Sequence, residues 1–172
     1  GQIFAQWANS IGAEVIGTVG SDEKIDIAKN NGYKHVINYT KNDFEKEVMK
    51  ITSNKGVNAV FDGVGKKTFK QSIGCLKTRG MMVSFGNASG PLDPINVQKY
   101  IQAKSLFFTR PAGGHYYTEK KELQSAANIM FEKVKFGKIK LKVFKEFKLS
   151  EARKAHEELE SRQLHGPCII IP

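Results

Sequence analysis

Several short stretches of this 172-residue chain carry glycines, a hydroxyl, an ammonium, a guanidinium or an aromatic ring where chemistry could use them. Gly20-Ser21, with Lys24 one turn further on, offers a small neutral residue, a hydroxyl and a positive charge. At the end of a second strand in a dinucleotide fold that combination suits a ribose 2′-phosphate, whereas an acid directly at the strand end favours a free 2′-hydroxyl. The plainer reading is that Ser21 caps a helix and Lys24 is solvated. Asp22 and Glu23 put negative charge nearby and argue against a phosphate. Gly1 opens a helix whose free N–H groups attract an anion. Tyr39 follows a strand and presents a ring with a hydroxyl, to an adenine or to its phosphate. Asp62-Gly63-Val64-Gly65 and Phe85-Gly86-Asn87-Ala88-Ser89-Gly90 each follow a strand, and their glycines let backbone approach a ligand closely. Phe108-Thr109-Arg110-Pro111 adds a lone arginine.

Other chemistries find little support. Cys75 and Cys168 stand far apart with no CxxC, which argues against a disulfide scaffold or a zinc site and for reduced thiols in a reducing compartment. His35, His115, His156 and His165 form no ligand pattern with either cysteine. The 27 basic and 17 acidic residues give a net charge of +10, which draws anions. The lysines are dispersed along amphipathic segments, so a solvated basic surface accounts for them. No apolar run approaches membrane-spanning length, and Gly1-Gln2-Ile3-Phe4 does not resemble a signal peptide.

The elements that position these stretches alternate. Helices are expected over Gln2–Ile11, Asp22–Asn31, Asp43–Ser53, Lys66–Leu76 and Pro94–Gln102. Strands are expected over Glu14–Val19, His35–Asn38, Val57–Phe61, Gly80–Phe85 and Ser105–Phe108. Apolar strands taken in turn with helices require crossovers, hence a doubly wound α/β domain with a mostly parallel sheet. A buried helix directly after one glycine suggests that the chain starts in mid-domain. After Pro111 the texture changes: a lysine-rich helix from about Thr118 to Phe136, a strand Lys142–Phe147, a helix Ser150–Ser161 with Ser150 as N-cap, and a strand Cys168–Ile171.

Several blocks together resemble the quinone oxidoreductase branch of the medium-chain dehydrogenase/reductase superfamily, which includes the zeta-crystallins. They are Gly-x-x-x-x-Gln-Trp-Ala, Gly-Ala-x-Val-Ile-Gly-Thr-Val-Gly, Val36-Ile37-Asn38-Tyr39, Met82 to Gly90, Thr109-Arg110-Pro111 and Ala155 to Arg162, in order along the whole chain. The resemblance implies a Rossmann-type domain over residues 1–112, with Gly1 as the last glycine of the fingerprint and the first strand absent. Residues 113–172 then belong to the GroES-like substrate domain. It implies a zinc-independent NADPH:quinone oxidoreductase, cytoplasmic, with no catalytic acid or base in this chain. Gly20, Ser21, Lys24 and Tyr39 match its adenosine-phosphate site, and Arg162 an arginine near that phosphate. Phe85, Gly86 and Ala88 match the wall beside ribose and pyrophosphate, and Phe108 and Arg110 the nicotinamide end. It further implies a homodimer through the Ser105–Phe108 edge strand, flanked by Lys104 and Arg110. Reduction of an enone or other activated alkene is the enzymatic alternative. An RNA-binding role is the alternative from another class, against which stands the lack of an RNP-type motif or of basic and aromatic residues clustered on one strand.

Overall fold

The computed structural model describes residues 1–161, 164 and 166–172. Helix α1 (Gln2–Ser10) ends where Gly12 takes a φ of 84° and donates its N–H to the Asn9 carbonyl. Strand β1 (Ile16–Val19), helix α2 (Glu23–Asn30) and strand β2 (His35–Asn38) follow. Helix α3 (Phe44–Ile51) is capped by the Asp43 carboxylate, which accepts from Glu45 N at 3.1 Å and Lys46 N at 3.3 Å. Its buried face carries Phe44 and Val48, each contributing roughly 1.5–3 kcal/mol by leaving water. Strand β3 (Val57–Asp62), helix α4 (Phe69–Gly74) and strand β4 (Leu76–Ser84) come next. Then come the short helix α5 (Val97–Tyr100), a 3₁₀ turn at Gln102–Lys104 and strand β5 (Phe107–Thr109).

β1 and β2 pair in parallel, and so do β3, β4 and β5 in that order. The one sheet expected from the sequence is thus divided in two, because β1 and β3 are not hydrogen-bonded to each other. A shared core joins the halves: Ile37, Phe44, Val48 and Cys75 pack together, with Ile16 from β1 and Val57 and Val60 from β3 against them. A second core holds Phe69, Ile73, Leu76, Met82 and Leu106. On the opposite face of β3, Phe61 meets Phe4 of α1 as a tilted pair, 4.7 Å between ring centroids, so helices lie on both faces. β4 begins earlier than its apolar run suggests. Its register with β3 steps from Val57–Leu76 to Ala59–Met81, and the intervening bulge holds Arg79 at a φ of 59°.

The tail forms the short helix α6 (Gly113–Tyr116), helix α7 (Lys120–Lys135), strand β6 (Lys145–Lys148), helix α8 (Ala152–Glu160) and strand β7 (Cys168–Ile171), with β6 and β7 parallel. No residue of α7 is fully buried. The segment is nevertheless stitched to α1. Lys133 Nζ donates to Ser10 Oγ at 2.9 Å and stands 4.9 Å from the Trp7 ring centre. Gln6 accepts from Lys140 N at 2.7 Å and donates to its carbonyl at 3.2 Å, beside Ile139, which is only 1% exposed. Ser150 does not cap α8. It lies inside a 3₁₀ turn, Leu149–Glu151, that Glu151 closes by accepting from Lys148 N at 3.1 Å. Among the described residues no helix is long and apolar enough to cross a membrane.

Candidate functional site

At the carboxyl rim of β1 and β2, Tyr39 N donates to Val19 O at 3.1 Å, which carries the tyrosine across the strand ends. Its hydroxyl lies against Gly20, where an added Cβ would stand 2.9 Å from Tyr39 Oη. The N-cap of α2 is Asp22, not Ser21, and the Ser21 hydroxyl makes no hydrogen bond among the described residues. Its carbonyl accepts from Lys24 N at 3.3 Å, winding Lys24 back over the same turn. Lys24 forms no ion pair among the described residues. Gly20, Ser21, Lys24 and Tyr39 thus gather at one rim with two hydroxyls and an ammonium unspent.

Of the two acids expected to oppose a phosphate there, Asp22 is engaged elsewhere, while Glu23 forms no ion pair among the described residues. Asp22 accepts from Lys41 Nζ and from Asn38 Nδ2, the latter at 2.6 Å, and these two donors, Lys41 foremost, hold its carboxyl below the usual range. Asn38 is itself only 4% exposed and also accepts from Thr40 N at 3.0 Å and Thr40 Oγ1 at 2.7 Å. The sequence reading missed Asn38; the available signal was an asparagine closing an otherwise apolar strand.

The rim of β3, β4 and β5 is tied far more densely. Asp62 O accepts from Phe85 N at 2.9 Å and Gly86 N at 3.4 Å; Gly63 O accepts from Ala88 N at 3.2 Å; Val64 O accepts from Ser89 N and Ser89 Oγ, both at 2.8 Å. The glycines are required by contact. A Cβ on Gly86 would lie 2.3 Å from Gly63 O, and one on Gly65, at a φ of 88°, would lie 2.8 Å from Gly90 O. Phe85 is 56% exposed and its ring rests over Gly63. Arg110 Nη1 donates to Ser84 O at 2.8 Å and Gly86 O at 3.2 Å. With its amide oriented to match, Asn87 donates to Gly86 O at 2.8 Å and accepts from Arg110 Nη2 at 3.3 Å. The arginine is therefore a clasp on the β4 loop as well as a charge. The Phe108 ring packs edge-on against Phe69, 6.3 Å between centroids, at the border of the core.

Gly1 begins α1, and Tyr33 Oη donates to its carbonyl at 3.0 Å. The Tyr33 ring lies on Gly17, where a Cβ would meet it at 2.4 Å, and burial raises its hydroxyl above the usual tyrosine range. Tyr33 escaped the sequence reading, and its only local signal was a tyrosine just before β2. Arg162 and His165 lie outside the described residues. Among the described residues no group of three or more His, Cys, Asp or Glu stands together as metal ligands. Burial pushes the Cys75 thiol up to about 12, Glu45 adding to the rise. The described residues do not fit a bound zinc ion.

Comparison with known proteins agrees with this architecture. The chain is 44% identical to the quinone oxidoreductase of Salmonella typhimurium over 174 residues, covering 100% of this chain and 53% of that protein. It is 42% identical to the 2-haloacrylate reductase of a Burkholderia species, covering 100% of this chain and 52% of that protein. The structure of Escherichia coli quinone oxidoreductase complexed with NADPH superposes with a TM-score of 0.93 at 42% identity, covering 100% of this chain and 53% of that one. The chain spans about half the length of the relatives it matches. The zinc-binding dehydrogenase family matches residues 1–130, and the chain belongs to that family.

Proposed function

We propose that this chain is the cofactor-binding part of a zinc-independent NADPH:quinone oxidoreductase. The observation that carries the reading is the β1–β2 rim: Ser21, Lys24 and Tyr39 stand unspent around Gly20 while Asp22 is paired with Lys41 and accepts from Asn38. That set favours a 2′-phosphate, which offers oxygens to every one of these donors. Gly1, at the start of α1, would face the pyrophosphate. Phe85, Gly86 and Ala88 would wall the ribose and pyrophosphate. Arg110 would hold that wall at the nicotinamide end, with Phe108 supporting it from the core side. When bound, the nicotinamide supplies the hydride chemistry; the chain's own residues bind, orient and exclude water.

Residues 1–112 would form the nucleotide domain and residues 113–172 a segment of the substrate domain. The unpaired edges of β1 and β3 suit a strand from the remainder of a longer reductase, since such sheets place their first strand between the second and fourth. The free thiols Cys75 and Cys168 suit a cytoplasmic setting. A homodimer through the Ser105–Phe108 edge is supported by Phe107, 59% exposed on β5, which pairs only with β4 among the described residues. Leu106 is a core residue and Lys104 Nζ is spent on Gly74 O and Leu76 O, so Phe107→Pro is the informative variant for assembly.

One specific observation favours the second reading, reduction of an activated alkene: the haloacrylate reductase is as similar as the quinone reductases. Titration of the full-length protein with NADPH and NADH, followed by turnover of a quinone and a 2-haloacrylate, tests both. Tighter NADPH binding with quinone turnover is expected; preference for NADH would overturn the cofactor assignment, and turnover of the acrylate alone the substrate assignment.

A further inference from the structure

We infer that Asp62 is the positioning residue of the crevice, fixing where the Gly63–Gly65 turn and the Phe85–Gly90 loop stand against a bound dinucleotide; this rests on the cofactor reading above. Asp62 is the last residue of β3 and only 5% exposed. Its Oδ1 accepts from Val64 N at 2.8 Å, Gly65 N at 3.0 Å and Thr68 Oγ1 at 3.0 Å. Its Oδ2 accepts from Thr68 Oγ1 and Ser72 Oγ, each at 2.8 Å. Its carbonyl receives the two N–H groups that open the β4 loop. One residue therefore grips both crevice loops and the start of α4.

No cation pairs with this carboxylate among the described residues. A buried charge without a counter-charge is expensive unless donors surround it, and here every donor is a neutral N–H or O–H. Support alone needs no charge, because a serine or asparagine caps a turn as well. A carboxylate adds shorter, stronger bonds that hold the turn in one geometry. That geometry is the one in which Gly65 keeps its left-handed φ and Gly63 leaves room for Gly86 at backbone contact. Because the Val64 and Gly65 N–H groups are consumed by Asp62, the turn serves a ligand through shape rather than through donors. The sequence reading credited this stretch to its glycines; the acid that precedes them does the holding.

The two sides of the carboxylate separate positioning from support. In the full-length protein, Asp62→Asn should raise the dissociation constants of NADPH and NADH at least tenfold and by the same factor, since this wall lies away from the 2′-phosphate. Ser72→Ala removes a donor on the α4 side only, and should lower Tm while leaving both constants within twofold. If Asp62→Asn leaves both constants within twofold of wild type, or if the two variants lose equal Tm and equal affinity, the positioning role is overturned. Should Asp62→Asn fail to fold, Ser89→Ala carries the test. It removes the hydroxyl that donates to Val64 O and accepts from Lys67 N, leaving Ser89 N alone on Val64 O, and should weaken both nucleotides several-fold; unchanged affinity would overturn the inference. A wild-type protein that binds neither nucleotide would overturn the cofactor reading and this inference with it.

Discussion

At the β3–β5 rim the carbonyls of Gly63, Val64 and Gly65 all accept hydrogen bonds, from Ala88, from Ser89, and from Thr68 and Phe69. At the β1–β2 rim the Ser21 hydroxyl, the Tyr39 hydroxyl and the Lys24 ammonium have no such partners among the described residues. Both rims mix glycines with polar side chains, yet one is built in advance and the other is open. A prebuilt wall loses little entropy when a ligand arrives, and shape is what it contributes. The open cluster keeps its donors for the ligand and contributes charge. Under the proposed function, general dinucleotide affinity belongs to one rim and discrimination of the 2′-phosphate to the other. Each assignment can be broken separately.

The largest effect is expected from the glycines. Gly86→Ala drives a methyl to 2.3 Å from Gly63 O and 2.8 Å from its Cα, and neither backbone atom can swing away. Overpacking of that kind costs about 1–3 kcal/mol or more, so Tm should fall by several degrees and nucleotide binding should be largely lost. Gly20→Ala meets only the hydroxyl end of the exposed Tyr39, which can rotate aside. Tm should therefore stay within about a degree, the loss appearing in NADPH affinity alone. Equal melting losses in the two variants would erase the distinction between the rims.

Arg110→Ala comes next. It removes a charged donor from Ser84 O and Gly86 O, a loss of about 1.5–3 kcal/mol for bonds of this type. Affinity for NADPH and NADH should drop together, and turnover should drop further as the β4 loop loosens. A fall confined to NADPH, read from parallel titrations, would move Arg110 to the phosphate end.

How far all this could be read from the sequence follows from which interactions are local. The order of helices and parallel strands was legible because apolar runs and glycine stops are local signals; His35–Asn38 and Cys168–Ile171 have the ends expected of them. The β4 bulge was not, because Arg79 takes its left-handed turn for the sake of pairing with a strand some twenty residues away. Nor was the packing of Phe108 on Phe69 legible, since sequence spacing cannot tell which face of β5 meets that ring. The Ser150 cap failed for a related reason: a 3₁₀ turn closed by Glu151 competes with it. In the candidate site, the glycines advertise themselves by type. Asp62 and Asn38 do not, because buried polar residues declare their role only through partners brought close by the fold.

Lys24→Ala probes the open rim. With no ion pair to lose among the described residues, Tm should hold, while NADPH affinity falls about tenfold, the ~1.5 kcal/mol of one charge-assisted bond. NADH affinity should not change. Parallel titrations with the two nucleotides check this, and an equal loss for both would take Lys24 out of the phosphate cluster.

The smallest effect belongs to Asp22, and it depends on pH. The Lys41 ammonium, then the Asn38 amide, hold its carboxyl below the usual range in the folded protein. In the unfolded chain it binds protons more readily, so its contribution is fully present above the ordinary aspartate range and disappears as pH falls through the lowered folded value. Its exposure leaves the pair open to screening by salt, which keeps the contribution small. Asp22→Asn should therefore lower Tm slightly at neutral pH, leave the acid limit unchanged so that the acid side of a plot of Tm against pH flattens, and matter less as salt is raised. It also frees Lys41 beside the phosphate cluster, so NADPH affinity should rise slightly while NADH affinity does not. A fall in NADPH affinity on Asp22→Asn would mean that the carboxylate organises the open rim rather than merely being kept out of its way.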